Sequence, residues 1–137
     1  MLAYIDSSVL LKKIFGQTGT SIDLAQITYG VSSELIQVEC LRSADRYRIA
    51  NDESEDDFLQ RVDLIHDSLK RLELIQIFPE ILNRASQSFP ATLGTLDAIH
   101  LSTCLLYQQR EGREITLCSH DEGLKRAARA IGLPVLG

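Results

Sequence analysis

The sequence predicts an α/β fold, a three-layer sandwich in which helices flank a mostly parallel central sheet of four to five strands. Two observations carry this expectation. Short apolar runs alternate along the 137 residues with longer segments whose apolar positions recur every three or four residues, the patterns of buried strands and amphipathic helices respectively. The connections between them are short, as expected of strand–helix units wound around one sheet. No internal repeat, low-complexity tract or linker interrupts the pattern, so residues 1–137 are expected to form a single domain of ordinary size.

Taken in order, Leu2-Ala3-Tyr4-Ile5-Asp6 reads as a short buried strand ending in an acid. Ser7 or Ser8 is placed to cap the helix that follows, Val9 to about Phe15, which stops near Gly16 and Gly19. A short helix is expected over 20–27 and a second strand over 27–31. Ser32 or Ser33 then caps a helix whose buried face is read as Leu35, Val38, Leu41 and Ala44. The polar break Asn51 to Ser54 ends it. Ser54 and Asp57 stand at capping-box spacing ahead of a second long helix, striped by Phe58, Val62, Ile65 and Leu69. Leu72 to Phe78 reads as the third strand, and Pro79 suits the first turn of another helix. After a loop with Pro90 and Gly94, Thr95 caps a helix from Leu96 to about Gln109. Glu114 to Cys118 is the fourth strand, Asp121 to Ile131 a helix closed by Gly132, and Pro134 to Leu136 a last short strand.

Composition narrows the class of protein. Hydrophobic residues make up 45% of the chain, a globular level rather than a disordered one. Its apolar stretches fall well short of the ~20 residues a membrane helix needs, and the chain opens on a strand pattern rather than a signal peptide. A cytoplasmic protein without membrane attachment is expected. Cys40, Cys104 and Cys118 are widely spaced among apolar neighbours, in no zinc or redox pattern, and read as buried thiols. The net charge of −5 argues mildly against nucleic-acid binding, which rests on phosphate neutralisation. Its arrangement matters more than its sum, since Asp52 to Asp57 holds one dense group of acids and a functional cluster accounts for others. That dense run reads most simply as a helix N-terminus favoured by the dipole.

The acids that matter stand at element junctions. Asp6 ends the first strand, Asp121 follows the fourth, and Asp97 lies in the first turn of its helix. In open α/β sheets, ligands bind beyond the carboxyl ends of the strands. Glu39 sits inside a helix, beside its apolar stripe, either as a boundary residue with its carboxylate in water or as a site residue. Like charges ~4 Å apart repel by about 4 kcal/mol at an effective dielectric of 20, so a cluster of four acids invites a compensating cation. Oxygen ligands with few histidines favour Mg²⁺ or Mn²⁺ over Zn²⁺. Such a site suits phosphodiester hydrolysis, with water as the attacking group and no side-chain nucleophile.

At this point the segments resemble a known family, the PIN-domain ribonucleases. Tyr4-Ile5-Asp6-Ser7-Ser8-Val9-Leu10-Leu11-Lys12 is similar to the family's opening, where the acid is the first of the metal site. Ser32-Ser33-Glu34-Leu35-Ile36-Gln37-Val38-Glu39-Cys40-Leu41-Arg42 resembles the second motif, which supplies the helical Glu. Thr95-Leu96-Asp97-Ala98-Ile99-His100-Leu101-Ser102 resembles the third, and Leu117-Cys118-Ser119-His120-Asp121-Glu122-Gly123-Leu124 the fourth. Chain length and motif order are most similar to the VapC-like toxins of toxin–antitoxin pairs. The resemblance implies an endoribonuclease using Mg²⁺ or Mn²⁺ on Asp6, Glu39, Asp97 and Asp121, commonly a homodimer, acting on RNA and held inactive by a small antitoxin protein. The alternative is a PIN-fold module that binds RNA or serves as a scaffold without cleaving. A haloacid-dehalogenase-like phosphatase would want a second Asp where Ser8 stands, and a receiver domain would pair its acids ahead of the first helix.

Among the remaining polar residues, Ser119 occupies a position for holding a water near the fourth acid, with helix capping as an equal reading. Ser7 has the same two readings, capping favoured. Arg42 suits a helix-surface pair with Glu39 three residues before it, or an RNA phosphate contact. His100, three residues after Asp97, reads chiefly as a packing residue near the sheet, a general-base role being the lesser reading. His66 and His120 read as surface residues. Lys12, Lys13, Arg46, Arg48, Lys125, Arg126 and Arg129 are candidates for a basic rim or for solvated faces.

Overall fold

The computed structural model describes residues 1–19 and 22–137. Its core is a five-stranded sheet in the order β3-β2-β1-β4-β5 with every neighbouring pair parallel. The strands are β1 (Leu2–Ile5), β2 (Tyr29–Ser33), β3 (Leu72–Ile75), β4 (Thr116–Cys118) and β5 (Val135–Leu136). The helices are α1 (Ser7–Ile14), α2 (Leu35–Asn51), α3 (Glu55–Leu69), α4 (Pro79–Ala85), α5 (Thr95–Glu111) and α6 (Glu122–Ala130). The predicted class holds. Among the described residues no helix is long and apolar enough to cross a membrane.

β1 lies at the centre, with Tyr4 beside Val31 on one flank and Leu117 on the other. Side chains alternate across a strand, so β1 feeds two cores. Leu2 and Tyr4 join Leu101, Leu117 and Leu124 from α5, β4 and α6. Ala3 and Ile5 face Val9, Ile36, Cys40 and Ile65 from α1, α2 and α3. The three layers follow from that alternation.

Several expected boundaries move, each for a local reason. The helix expected over 20–27 falls partly on Thr20 and Ser21, outside the described residues; of the rest, only Leu24–Gln26 forms a 3-10 turn. Ser32 and Ser33 complete β2, and Glu34 takes the cap position of α2 without a side-chain cap bond, although Ser33 Oγ still accepts from the Leu35 N–H at 3.2 Å. Val38 is 58% exposed. The face that α2 buries is Ile36, Cys40 and Ala44, at steps of four instead of three. By contrast α3 keeps its expected cap, Ser54 Oγ accepting from the Asp57 N–H at 3.2 Å, and its expected stripe. Gly94, not Thr95, precedes α5. All three cysteines are free and buried.

A second feature of the α1–α2–α3 layer was not anticipated from the acidic run. Glu53 leaves the dipole cluster and pairs with Arg61 at 2.7 Å, their side chains only 7% and 17% exposed. The Arg61 guanidinium lies over the rings of Phe15 and Tyr47, 4.7 and 4.5 Å from their centres, and donates to the carbonyl of Ile14. Asp52, in the left-handed region at φ 47°, makes the tight turn that brings Glu53 there. One side chain thus ties the end of α1 to α2 and α3.

Candidate functional site

The carboxyl ends of β1 and β4 lie side by side, and the hydroxyls just beyond them are bonded to each other's segments. Asp6 lies one residue past β1 and caps α1. Its Oδ2 accepts from the Ser8 N–H at 3.3 Å, the Ser8 hydroxyl at 2.5 Å and the Ser119 hydroxyl at 2.9 Å. Those hydroxyls are themselves oriented: Ser8 Oγ accepts from the His120 N–H and Ser119 Oγ from the Asp121 N–H, both at 2.9 Å. Asp6 is buried, yet the bonds described on it all fall on one carboxylate oxygen. Hydrogen bonds of this kind offset the cost of burying a carboxyl group at a core edge.

Ser119 does not cap α6, a place that Asp121 takes; its hydroxyl instead holds Asp6 and orients the turn ahead of the helix. Ser7 does not cap. Its hydroxyl donates to Glu39 Oε2 at 3.2 Å, which carries α1 to α2 across the site. The other oxygen of Glu39, Oε1, meets His100 Nε2 at 2.5 Å. His100 has no exposed side-chain surface, while Glu39 keeps 20%. Glu39 is therefore held between Ser7 and His100 and not turned out into water.

Asp97 stands in the first turn of α5, partly buried. Burial pushes its carboxyl above the ordinary value, the charges of Asp121 and Asp6 push further, His100 opposes, and Glu39 adds again. That set of causes places Asp6, Glu39 and Asp121 within electrostatic reach of Asp97. Asp121 is the exposed member, and its Oδ1 caps α6 by accepting from the Leu124 N–H at 2.8 Å. Among the described residues no three His, Cys, Asp or Glu side chains are drawn tightly enough to grip an ion as they stand; hydroxyls and His100 intervene.

An acid whose pKa is raised in the fold holds its proton more tightly there. Its contribution to stability is present below the unfolded value of 3.8 and is lost as pH rises through the folded value. The helix dipole favours a negative Asp97, but the net upward shift means burial and repulsion prevail. Asp97→Asn is accordingly expected to raise the melting temperature at pH 7, with the gain vanishing near pH 3. Each kcal/mol relieved reads as roughly 3 °C in a chain of this size. Thermal unfolding followed by circular dichroism at both pH values checks it, and a lower melting temperature at pH 7 would contradict the sign.

Some candidates go elsewhere. Arg42 pairs with Asp45 at 3.0 Å, not Glu39, and is 61% exposed. Lys125 is buried, with Nζ on Glu122 at 2.6 Å and on the Gly137 carbonyl at 2.7 Å, and so leaves the basic rim. His66 is exposed, whereas His120 is partly buried; burial, with Lys12 and Lys125 nearby, lowers its pKa.

Three residues at the site were missed. Ser8 was read only as a helix cap, His100 chiefly as packing and Tyr4 as core. The Tyr4 hydroxyl meets His100 Nδ1 at 2.8 Å and accepts from the Ser33 N–H at 3.0 Å. Burial pushes that hydroxyl well above its ordinary pKa, so it keeps its hydrogen. Burial alone would lower His100, but its hydrogen bond to Glu39 and the charges of Glu39, Asp6 and Asp97 outweigh this and raise it. The available signal was spacing: His100 shares a helix face with Asp97, three residues on, and Ser8 follows Asp6 by two.

Comparison with known proteins gives these observations a context. The sequence model of the PIN domain matches residues 3–130. "Ribonuclease VapC46" from Mycobacterium tuberculosis is 36% identical over 70 residues, 50% of this chain and 51% of that protein. The match thus spans about half the length of that curated relative. A toxin–antitoxin complex from Klebsiella pneumoniae holds a chain of similar fold, with a TM-score of 0.62 and 18% identity over 98% of this chain and 96% of that one. VapBC2 from Rickettsia felis, bound to a DNA fragment from its promoter, gives 0.66 and 15% over 99% and 98%. At such identities the structural likeness speaks for the fold alone.

Proposed function

This chain belongs to the PIN-domain family, and on that premise we propose that it is an endoribonuclease hydrolysing RNA phosphodiester bonds with Mg²⁺ or Mn²⁺. The observation that supports the proposal is the placement of Asp6, Asp97 and Asp121 at element junctions, with Glu39 of α2 held by Ser7 and His100 and the charges of the other three acids acting on Asp97. Those four residues would hold the cation. Their donors are all oxygen, and both ring nitrogens of His100 are already engaged by Tyr4 and Glu39, so the set fits a hard cation and not zinc. When bound, the cation supplies Lewis acidity to the scissile phosphate and lowers the pKa of water.

The chain's own residues supply placement. Ser8 and Ser119 fix one oxygen of Asp6, Oδ2. Ser7 fixes Glu39 from α1. Ser119 orients the turn that presents Asp121. The single sheet, built from strands at both ends of the chain, supports residues 1–137 as one domain.

We extend the proposal to the toxin of a toxin–antitoxin pair: a cytoplasmic homodimer covered by a small antitoxin. The ribonuclease name of the relative and the toxin–antitoxin complexes among the neighbours support this reading. The test is cleavage of pooled, end-labelled RNA by the purified protein with Mg²⁺, with Mn²⁺ and with EDTA. Fragments are expected with either metal and none with EDTA. Fragments that persist in EDTA would overturn the metal requirement. No cleavage and no Mn²⁺ binding would return the fold to an RNA-binding or scaffold role.

A further inference from the structure

Glu39 is approached by an imidazole that has no exposed surface of its own. His100 lies on α5 and Glu39 on α2, on separate elements 61 positions apart, joined at 2.5 Å. An ionised carboxylate only accepts, so Nε2 carries the hydrogen. At the far side of the ring, the Tyr4 oxygen already takes the Ser33 N–H into one lone pair, and in the neutral ring its own hydrogen finds an acceptor in His100 Nδ1. The polarity of the chain is then set from the backbone outward: Ser33 N–H to Tyr4, Tyr4 O–H to Nδ1, Nε2–H to Glu39 Oε1. Tyr4 and His100 also pack edge to face, with rings 76° apart and centres 5.9 Å apart. Both rings are buried, so neither can swing away.

The other carboxylate oxygen, Oε2, takes the Ser7 hydroxyl. Each oxygen of Glu39 thus has one lone-pair direction occupied and one left. A carboxylate on a long, three-torsion side chain loses rotamer freedom when it binds a cation. Held at both oxygens beforehand, it loses less.

Resting on the nuclease reading above, we propose that Tyr4 and His100 form a buried positioning relay that fixes the tautomer and direction of the hydrogen bond to Glu39, pre-setting this carboxylate for divalent-cation binding. His100 is a positioning residue, acting through Glu39 and touching neither cation nor RNA. Partners that hold a liganding carboxylate commonly contribute 10–100-fold in metal affinity.

The experiment measures Mn²⁺ binding by calorimetry, with melting temperature, in the full chain and in Glu39→Gln, His100→Leu, His100→Gln and Tyr4→Phe. The Gln side chain can still extend an N–H toward Glu39, whereas Leu fills the space without a donor. We expect His100→Leu to weaken Mn²⁺ about tenfold or more and His100→Gln to regain most of that loss. Tyr4→Phe should weaken binding several-fold while the ring stays packed. Folded His100→Leu with an unchanged isotherm overturns the relay, as do equal losses in His100→Leu and His100→Gln, which a merely structural role predicts. If His100→Leu fails to fold, Tyr4→Phe decides, and unchanged Mn²⁺ affinity there overturns the proposal. Absence of Glu39-dependent binding in the unsubstituted protein overturns the metal reading and the relay together. Its presence beside an indifferent His100 overturns the relay alone.

Discussion

Asp6→Asn is expected to reduce RNA cleavage about 1,000-fold or more, equivalent to about 4 kcal/mol of lost transition-state stabilisation, while the protein stays folded. The direction follows from how the carboxylate is held. One of the three donors on Oδ2, the Ser8 backbone N–H, cannot turn around to accept. An asparagine therefore keeps its carbonyl oxygen at the Oδ2 position and caps α1 as the acid did. Its NH₂ group is then left facing the cluster, presenting donors where an oxygen ligand is wanted. Cleavage rates under saturating Mn²⁺ beside a melting curve separate the two effects. An active, folded Asp6→Asn protein would remove the basis of the nuclease assignment.

The largest expected effect on stability lies away from the acids. Arg61→Ala should cost about 4 kcal/mol, the usual range for removing one partner of a buried pair, and lower the melting temperature by roughly 12 °C. The truncation leaves the Glu53 carboxylate buried without its cation and strips Phe15 and Tyr47 of the guanidinium stacked on them. The pair is already imperfect: among the described residues, Arg61 Nε and Glu53 Oε1 have no side-chain or backbone partner. Replacing Glu53 by Gln in the same protein should therefore recover part of the loss, since the second change removes a stranded charge. A double-mutant cycle in urea measures this coupling, and strict additivity of the two changes would show that Arg61 acts through its rings alone.

What could be read from the sequence divides along a physical line. Features encoded locally came through: the stripe and cap of α3, the proline opening α4, and Asp6, Asp97 and Asp121 at junctions. The buried face of α2 was misassigned because Leu35, Val38 and Leu41 offer a plausible step of three, while the sheet selects Ile36, Cys40 and Ala44. Packing chose between two faces that hydropathy alone left close. The partners of the acids were less legible still. Ser119 reaches Asp6 across 113 positions, His100 reaches Glu39 across 61, and Tyr4 meets His100 across 96. No spacing rule within one helix or strand relates such residues. Lys125 was misplaced for a similar reason, since its buried contact with Gly137 depends on where β5 returns.

The central position of β1 also sets a timetable. The strand made first sits between strands made later, and Asp6 waits for Ser119, 113 positions behind it. At ribosomal speeds of ~5–20 residues per second, that interval is roughly 6–23 s. Until then the nascent chain carries Asp6 without its second hydroxyl, and Asp121 has yet to be made. On the nuclease reading, a growing chain has no complete acid cluster until Asp121 has emerged.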